Sequence, residues 1–431
     1  MQITKYVFVL ACSLQLMACS VQKPIAKIAE STILSDSLLA TAHVGICVYD
    51  ATDNKYLYNY QGNKYFIPAS NTKIATCYVA MKYLGDSLVG LRYDSSNLEY
   101  GAYVWPTGDP TFLHPDFKNQ PVYDFLKNFK SIGIINGGFF ADEFVGRGWA
   151  WDDYKDDYMV QRDDFPIYGN IIRIAKEADS LKIIPTLPRE LSQSSNLKKG
   201  FSVDREWDRN NLVIDEGFKK YVEIPFTPNP PDVWKMLADT LHAKVFPAFF
   251  YDQIGRVKTI HSQPTDSLLK IMMHRSDNFY AEQSLLMVAN EKLGIMNDAK
   301  IIDTLLKTDY AAMPQRPQWV DGSGLSRYNL FTPQDFVFIL NKMRNEFSWN
   351  RITTIFSTGG DGTLGSYYKD VKGKIYAKTG SLSNNIALSG YLITQKNKTL
   401  TFSVLVNNHN VSAASVRKAV ERFLTTVQRD N

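Results

Sequence analysis

A serine three residues before a lysine, at the start of a helix, can become a nucleophile with its base beside it. Ser70-Asn71-Thr72-Lys73 has that spacing. Pro68-Ala69 precedes it, and an apolar run to Leu84, stopped by Gly85, follows. The pattern predicts a helix from about 71 to 84, with Ser70 and Lys73 on one face a turn apart. A hydroxyl needs an adjacent base to attack, and a lysine can be that base once burial and nearby cations lower its pKa. The helix N-terminus favours the negative charge that attack develops. A second motif, Ser276-Asp277-Asn278, opens an apolar helical run over 279–293. There Ser276 would relay a proton between Lys73 and a leaving nitrogen, Asn278 would hold a substrate amide, and Asp277 reads as an N-cap. A third, Lys378-Thr379-Gly380, is found once and leads towards a strand at 386–393. Lys378 would supply a cation and Thr379 a hydroxyl to a terminal carboxylate, while Gly380 lets a substrate backbone come close. The backbone N–H groups of Ser70 and Ser381 are the natural oxyanion hole.

Each motif alone is weak. Ser-x-x-Lys recurs at Ser20, Ser195, Ser267, Ser366 and Ser415, and Ser-x-Asn at Ser95. The weight lies in three motifs standing in order, each at an element boundary. That trio marks class A β-lactamases and penicillin-binding proteins.

The chain resembles the class C low-molecular-mass penicillin-binding proteins, the D-Ala-D-Ala carboxypeptidase/endopeptidases of peptidase family S13. Gly108-Asp109-Pro110-Thr111, Gly148-Trp149-Ala150-Trp151-Asp152-Asp153 and the start of the second helix, Ser276 to Glu282, carry the likeness. So do the runs Asp321 to Arg327 (DGSGLSR), Asp361 to Leu364 (DGTL) and Ala377 to Leu382 (AKTGSL). The likeness covers about Val44 to the C-terminus and implies a transpeptidase domain of the penicillin-binding-protein/β-lactamase type. It also implies a substrate: peptidoglycan stem peptides ending in D-Ala-D-Ala, cleaved through an acyl-enzyme on Ser70 that β-lactams would trap. No metal or organic cofactor is implied. An acidic residue near Asp152 or Asp153 would meet the stem. The stretch from Asp153 to Asn170 departs from the family pattern, which puts contacts from that region in doubt.

Positioning these residues requires an α+β fold, an antiparallel sheet flanked by helices, interrupted by β-rich insertions. Strand patterns at 44–50 and 56–60 flank a turn, and helical periodicity returns at 267–273, 279–293 and 333–343. A hairpin follows at 386–393 and 400–406, then an amphipathic helix at 413–427. Between them, a stretch rich in Asp, Pro, Tyr and Trp has poor helical periodicity and reads as inserted β material. The expected division is 36–90 and 256–431 for the transpeptidase domain around an insertion at 91–255.

At 431 residues the chain is long enough for more than one core. A net charge of +4 offers no nucleic-acid footprint. The histidines (His43, His114, His242, His261, His274, His409) are scattered, with no zinc-ligand spacing. Lys5 and the apolar run to Leu16 form an export signal too short to span a membrane comfortably. It ends in Leu16-Met17-Ala18-Cys19, similar to a lipobox, so residues 1–19 are expected to be a signal peptide with lipid attachment at Cys19 and a membrane anchor. Cys47 and Cys77 read as buried free thiols. Two competing readings are a β-lactamase or esterase on the same fold and a catalytically silent wall-binding lipoprotein. The DGSGLSR and DGTL runs oppose the first, and the intact motifs oppose the second.

Overall fold

A computed structural model describes residues 25–96, 98–99, 101–135, 144–177, 180–186, 192–195, 203–215, 221–248 and 257–431. The export signal and Cys19 lie outside them. The chain runs through a short helix α1 (Ile25–Ala29), strands β1 (His43–Asp50) and β2 (Lys55–Tyr60), and helix α2 (Lys73–Tyr83). Strands β3 (Ser87–Asp94) and β4 (Ala102–Trp105), helix α3 (Pro121–Leu126) and β5 (Ser131–Ile135) come next. Short strands follow: β6 (Ile171–Glu177), β7 (Ser180–Ile184), β8 (Ser192–Ser195), β9 (Val203–Arg205), β10 (Leu212–Asp215) and β11 (Val222–Pro225). Helix α4 (Pro230–Leu241) precedes β12 (Lys244–Ala248) and β13 (Val257–Pro264). A helical run contains α5 (Thr265–Arg275), α6 (Asn278–Leu293), α7 (Asp298–Lys307), α8 (Pro333–Glu346) and α9 (Trp349–Ile355). The end is β14 (Ser357–Thr358), β15 (Ile375–Leu382), β16 (Asn385–Ile393), β17 (Thr399–Asn407) and α10 (Ala413–Asp430).

The principal sheet is antiparallel in the order β14-β15-β16-β17-β1-β2, joining both ends of the chain. Both faces of its central strands are covered, so they read as nearly continuous apolar runs. Side chains still alternate. Ile386, Leu388 and Leu392 pack towards α10 and α1, while Ala387, Tyr391 and Leu405 pack towards the helices. In that helical core, every residue of α2 from Lys73 to Met81 is buried, as is every residue of α6 from Phe279 to Ala289. A helix apolar all round belongs inside a core, and these two pack on each other. By contrast α10 buries one stripe, Val416, Ala419, Val420, Phe423, Leu424 and Val427.

The middle of the chain has its own apolar core, including Leu91, Val104, Ile132, Ile174, Ile224 and Leu237. Its five-stranded sheet runs β12-β5-β4-β3-β13, so the outgoing strand β3 and the returning strand β13 pair antiparallel. We propose the division into 36–90 with 256–431 around an inserted 91–255. The separate cores support it; β3 runs across the first seam and β13 begins just after the second. The insertion is not purely β. Helix α4 buries Val233, Met236, Leu237 and Leu241, with Asn229 capping its start and prolines in its first turn. Those signals are local, and the Pro- and Asp-rich surroundings masked them. Helix α7, capped by Asn297 and burying Ile301, Ile302 and Leu305, was likewise absent from the periodicity reading. Cys47 and Cys77 are buried and free.

Asn407, at the end of β17, ties the chain ahead of Ser70 to the sheet. Its Oδ1 accepts from Ile67 N at 2.7 Å and its Nδ2 donates to Ile67 O at 3.1 Å. Asn407→Ala should lower stability by about 1–3 kcal/mol, because both backbone groups of Ile67 lose their partner. A urea midpoint unchanged from wild type would show that water replaces the amide there.

Candidate active site

Ser70 is not in regular α-helix. It lies in a 3₁₀ turn, Ala69–Thr72, and α2 begins at Lys73. The predicted helix start at 71 is therefore two residues early, and the cause is Ala69. Its φ is +49°, a left-handed conformation for a non-glycine residue. The turn is packed on two sides by glycines. A Cβ on Gly324 would sit 1.9 Å from Ala69 O, and one on Gly380 would sit 2.6 Å from Pro68 O. Gly380 thus admits the protein's own turn at Ser70, where the sequence suggested a substrate backbone. Asn71, buried, donates from Nδ2 to Lys378 O at 2.8 Å and so locks the turn to β15.

Lys73 is fully buried. Its Nζ lies 3.0 Å from Ser70 Oγ, 2.6 Å from Asn278 Oδ1 and 2.8 Å from Ser323 O. Burial lowers its pKa to about 8, against the opposing pull of Glu282, Asp321 and Asp277. The Ser323 carbonyl was not foreseen as a partner. It is held by two buried acids. Glu282 accepts from Gly322 N at 3.2 Å and Ser323 N at 2.8 Å. Asp321 accepts from Gly324 N at 2.8 Å, Ser326 N at 2.6 Å, Asn329 Nδ2 at 2.7 Å and Trp149 Nε1 at 3.0 Å. Burial, and then Asp321, raise the pKa of Glu282 above the usual carboxylate range.

Ser276 does not open a helix. It ends α5 in a left-handed conformation, with φ +64°. Asp277 then caps α6 by accepting from Tyr280 N at 2.8 Å, and Asn278 is that helix's first residue. The motif is the joint between two helices, which turns Ser276 and Asn278 into the same cleft. Asn278 spends its oxygen on Lys73 and donates Nδ2 to Tyr158 O at 2.8 Å. Lys378, also fully buried, donates to Ser276 Oγ at 2.8 Å and to Thr379 O at 2.8 Å. Burial and the nearby Lys73 hold its pKa well below the usual lysine value. Lys378 lies within strand β15, opposite Ser389 of β16, rather than in a segment before a strand. Thr379 Oγ1 donates to Thr363 Oγ1 at 2.8 Å, which joins the DGTL turn to β15. Ser381 is exposed, and its Oγ accepts from Arg417 at 2.7 Å.

An open cleft enclosing about 1430 Å³ lies over these groups. Ser70, Ser276, Asn278 and Ser381 line it from the motifs, and Trp149, Asp153 and Tyr158 from the middle of the chain. Asp153 is on the wall; Asp152 is not among the lining residues.

A six-stranded antiparallel sheet beside an all-buried helix, with a serine–lysine pair at the junction, defines the penicillin-binding-protein and β-lactamase class of α+β fold. The chain belongs to the D-Ala-D-Ala carboxypeptidase 3 (S13) family, which matches residues 26–211 and 243–427, and is a hydrolase of the carboxypeptidase class. It is similar to the D-alanyl-D-alanine carboxypeptidase DacB of Haemophilus influenzae, 22% identical over 427 residues and covering 88% of each chain. A D-alanyl-D-alanine carboxypeptidase of Actinomadura sp. (strain R39) is 22% identical over 450 residues, covering 88% of this chain and 80% of the other. The crystal structure of penicillin-binding protein 4 from Haemophilus influenzae superimposes with a TM-score of 0.71 at 18% identity, covering 94% of this chain and 98% of that one. The same protein complexed with a β-lactam gives 0.65.

Gly324 offers a test of the packing around Ser70. Its φ is +83° and its Cβ position is filled by Ala69 O. Gly324→Ala should slow acylation by a fluorescent penicillin by roughly 100-fold or more, since a shift of about 1 Å in a reacting group costs that much. Gly85→Ala places a methyl at φ +68° in open space. It should cost only about 1–2 kcal/mol of stability, with labelling unaffected. Equal labelling of both variants would show that the turn tolerates displacement.

Proposed function

We propose that this protein hydrolyses D-alanyl peptide bonds of peptidoglycan stem peptides ending in D-Ala-D-Ala, through an acyl-enzyme on Ser70. The observation that carries the reading is the 3.0 Å contact between Ser70 Oγ and the buried Lys73 amine. A neutral lysine amine has two N–H donors and one lone pair. Asn278 Oδ1 and Ser323 O are acceptors only, so they take the two N–H groups, and the lone pair is left for the Ser70 hydroxyl. Lys73 then removes the proton as Ser70 attacks the carbonyl of the penultimate D-Ala. The backbone N–H groups of Ser70 and Ser381 would hold the oxyanion. Ser276, bonded to the Lys378 amine at 2.8 Å, would hand a proton to the leaving D-Ala nitrogen. Asn278 keeps Lys73 oriented and presents its amide side to the substrate. Thr379, Gly380 and Ser381 would line the leaving group along β15. Water then releases the acyl chain. With a cross-linked stem as leaving group, the same steps give endopeptidase action.

β-Lactams carry an acyl group that Ser70 would open and retain, as the Haemophilus protein's β-lactam complex suggests by likeness. We further propose an exported, periplasmic protein anchored by lipid at Cys19. Among the described residues no helix is long and apolar enough to cross a membrane.

Fluorescent penicillin should label the wild type. It should leave Ser70→Ala unlabelled at an unchanged melting temperature, and persistent labelling of that variant would remove Ser70 from the mechanism. Defined muropeptides should release free D-Ala. If they yield none while penicillin is turned over rapidly, the β-lactamase reading is correct instead.

Acylation should also follow the neutral fraction of Lys73. That fraction rises with pH, so the rate climbs about tenfold per unit below a pKa of about 8 and levels off above it. At pH 6 it should be about one-hundredth of the plateau. A rate flat from pH 6 to 9 would exclude Lys73 as the base.

A further inference from the structure

The leaving group of the proposed reaction ends in a carboxylate, and a carboxylate is best held by an accessible cation. Lys378, the cation the motif suggests, is poorly placed for this. It is fully buried, and its amine is committed to Ser276 Oγ and to Thr379 O at 2.8 Å each. Lys73, the other buried lysine, is committed to Ser70 Oγ, Asn278 Oδ1 and Ser323 O. The outer edge of β15 is different. Ser381 is exposed on the cleft wall, and the guanidinium of Arg417 donates to its Oγ from Nη2 at 2.7 Å.

Arg417 lies near the start of α10, next to the buried Val416 and Val420, so the helix's packing on the sheet fixes where its side chain leaves. It is only half-buried, and with Thr379 and Gly380 it lines a small depression, of about 20 Å³, on that side of β15. Among the described residues it has no carboxylate partner. Glu421, one turn further along α10, accepts from Tyr368 N instead. A guanidinium bonded through one N–H to a neutral hydroxyl keeps further donors in its planar fork, a shape that matches a carboxylate.

We propose that Arg417 is the substrate-binding residue that takes the carboxylate of the leaving group, beside the hydroxyls of Ser381 and Thr379. This rests on the reading given under Proposed function. In it, Lys378 acts on Ser276 inside the cleft while Arg417 supplies charge to the substrate outside it. The assignment holds for a terminal D-Ala and for any cross-linked leaving group with a free carboxylate beside the scissile nitrogen. The residue comes from the last helix and from none of the three motifs.

The test compares an acylated L-Lys-D-Ala-D-Ala peptide with its C-terminal amide, for the full-length protein and three variants. The wild type should prefer the acid. Arg417→Gln should cut that preference by about tenfold or more, chiefly through KM for the acid, as expected for loss of a charge-assisted hydrogen bond. Arg417→Lys should recover part of it. Arg327, a guanidinium that lines the cleft over Ser70 where Arg417 does not, donates to Ser383 O at 3.4 Å, and Arg327→Gln should leave the acid-to-amide ratio unchanged. If Arg417→Gln slows both peptides equally, the residue merely clips α10 to β15 and the proposal fails. It also fails if Arg327→Gln is the variant that erases the preference. If the wild type cleaves neither peptide, the proposed function itself falls and takes this assignment with it.

Discussion

A lysine amine buried without water must have every donor matched and its charge weakened, and most of the structure around Ser70 meets that demand for Lys73. Desolvation alone would push the amine towards neutrality. Two carboxylates, Glu282 and Asp321, and the nearby Asp277 pull the other way. The balance leaves an amine that titrates at about 8. Both acids act at a distance, because their oxygens are spent on backbone N–H groups of the loop from Gly322 to Ser326. That loop in turn presents Ser323 O to Lys73. The acids thus shape the loop that orients the Lys73 amine, and their field offsets part of the lowering that burial imposes.

This arrangement also explains how closely the middle of the chain is bound to the motifs. Gln283 of α6 donates to Gly108 O and Asp163 O at 2.8 Å each, and it accepts from Asp163 N at 3.1 Å. Trp149 reaches Asp321 through its indole N–H, and Tyr158 offers its carbonyl to Asn278. The GDPT segment therefore braces α6, while the GWxWDD segment braces the DGSG loop and walls the cleft. The middle of the chain, with its own apolar core, thus bonds directly to Asn278 and to Asp321, two residues from Ser323.

Much of this was legible in the sequence. The trio of motifs, their order and the long gap between the first two stated the fold class and brought Ser70, Lys73, Ser276, Asn278 and Lys378 together as candidates. These are local signals, readable because helix ends, caps and strand runs depend on neighbours in the chain. The covered sheet was legible too, in the apolar runs at 386–393 and 400–406. The helices α4 and α7 were readable in principle, since each has an Asn cap and a buried stripe, but short stripes in polar surroundings give little contrast.

The rest was decided only by folding. Ala69 takes a left-handed φ because Gly324 and Gly380, 255 and 311 residues further on, leave room for its carbonyl and for Pro68's. No local propensity announces that. Ser276 ends one helix instead of beginning the next, Lys378 turns inward to Ser276, and Arg417 reaches Ser381 across 36 residues. On its own the sequence determined which side chains could do acyl-transfer chemistry, because residue type and short spacing carry that information. Which basic side chain is buried against Ser276 and which is left half-exposed beside Ser381 was settled only by tertiary packing, because burial and the direction of a side chain depend on what is packed against it.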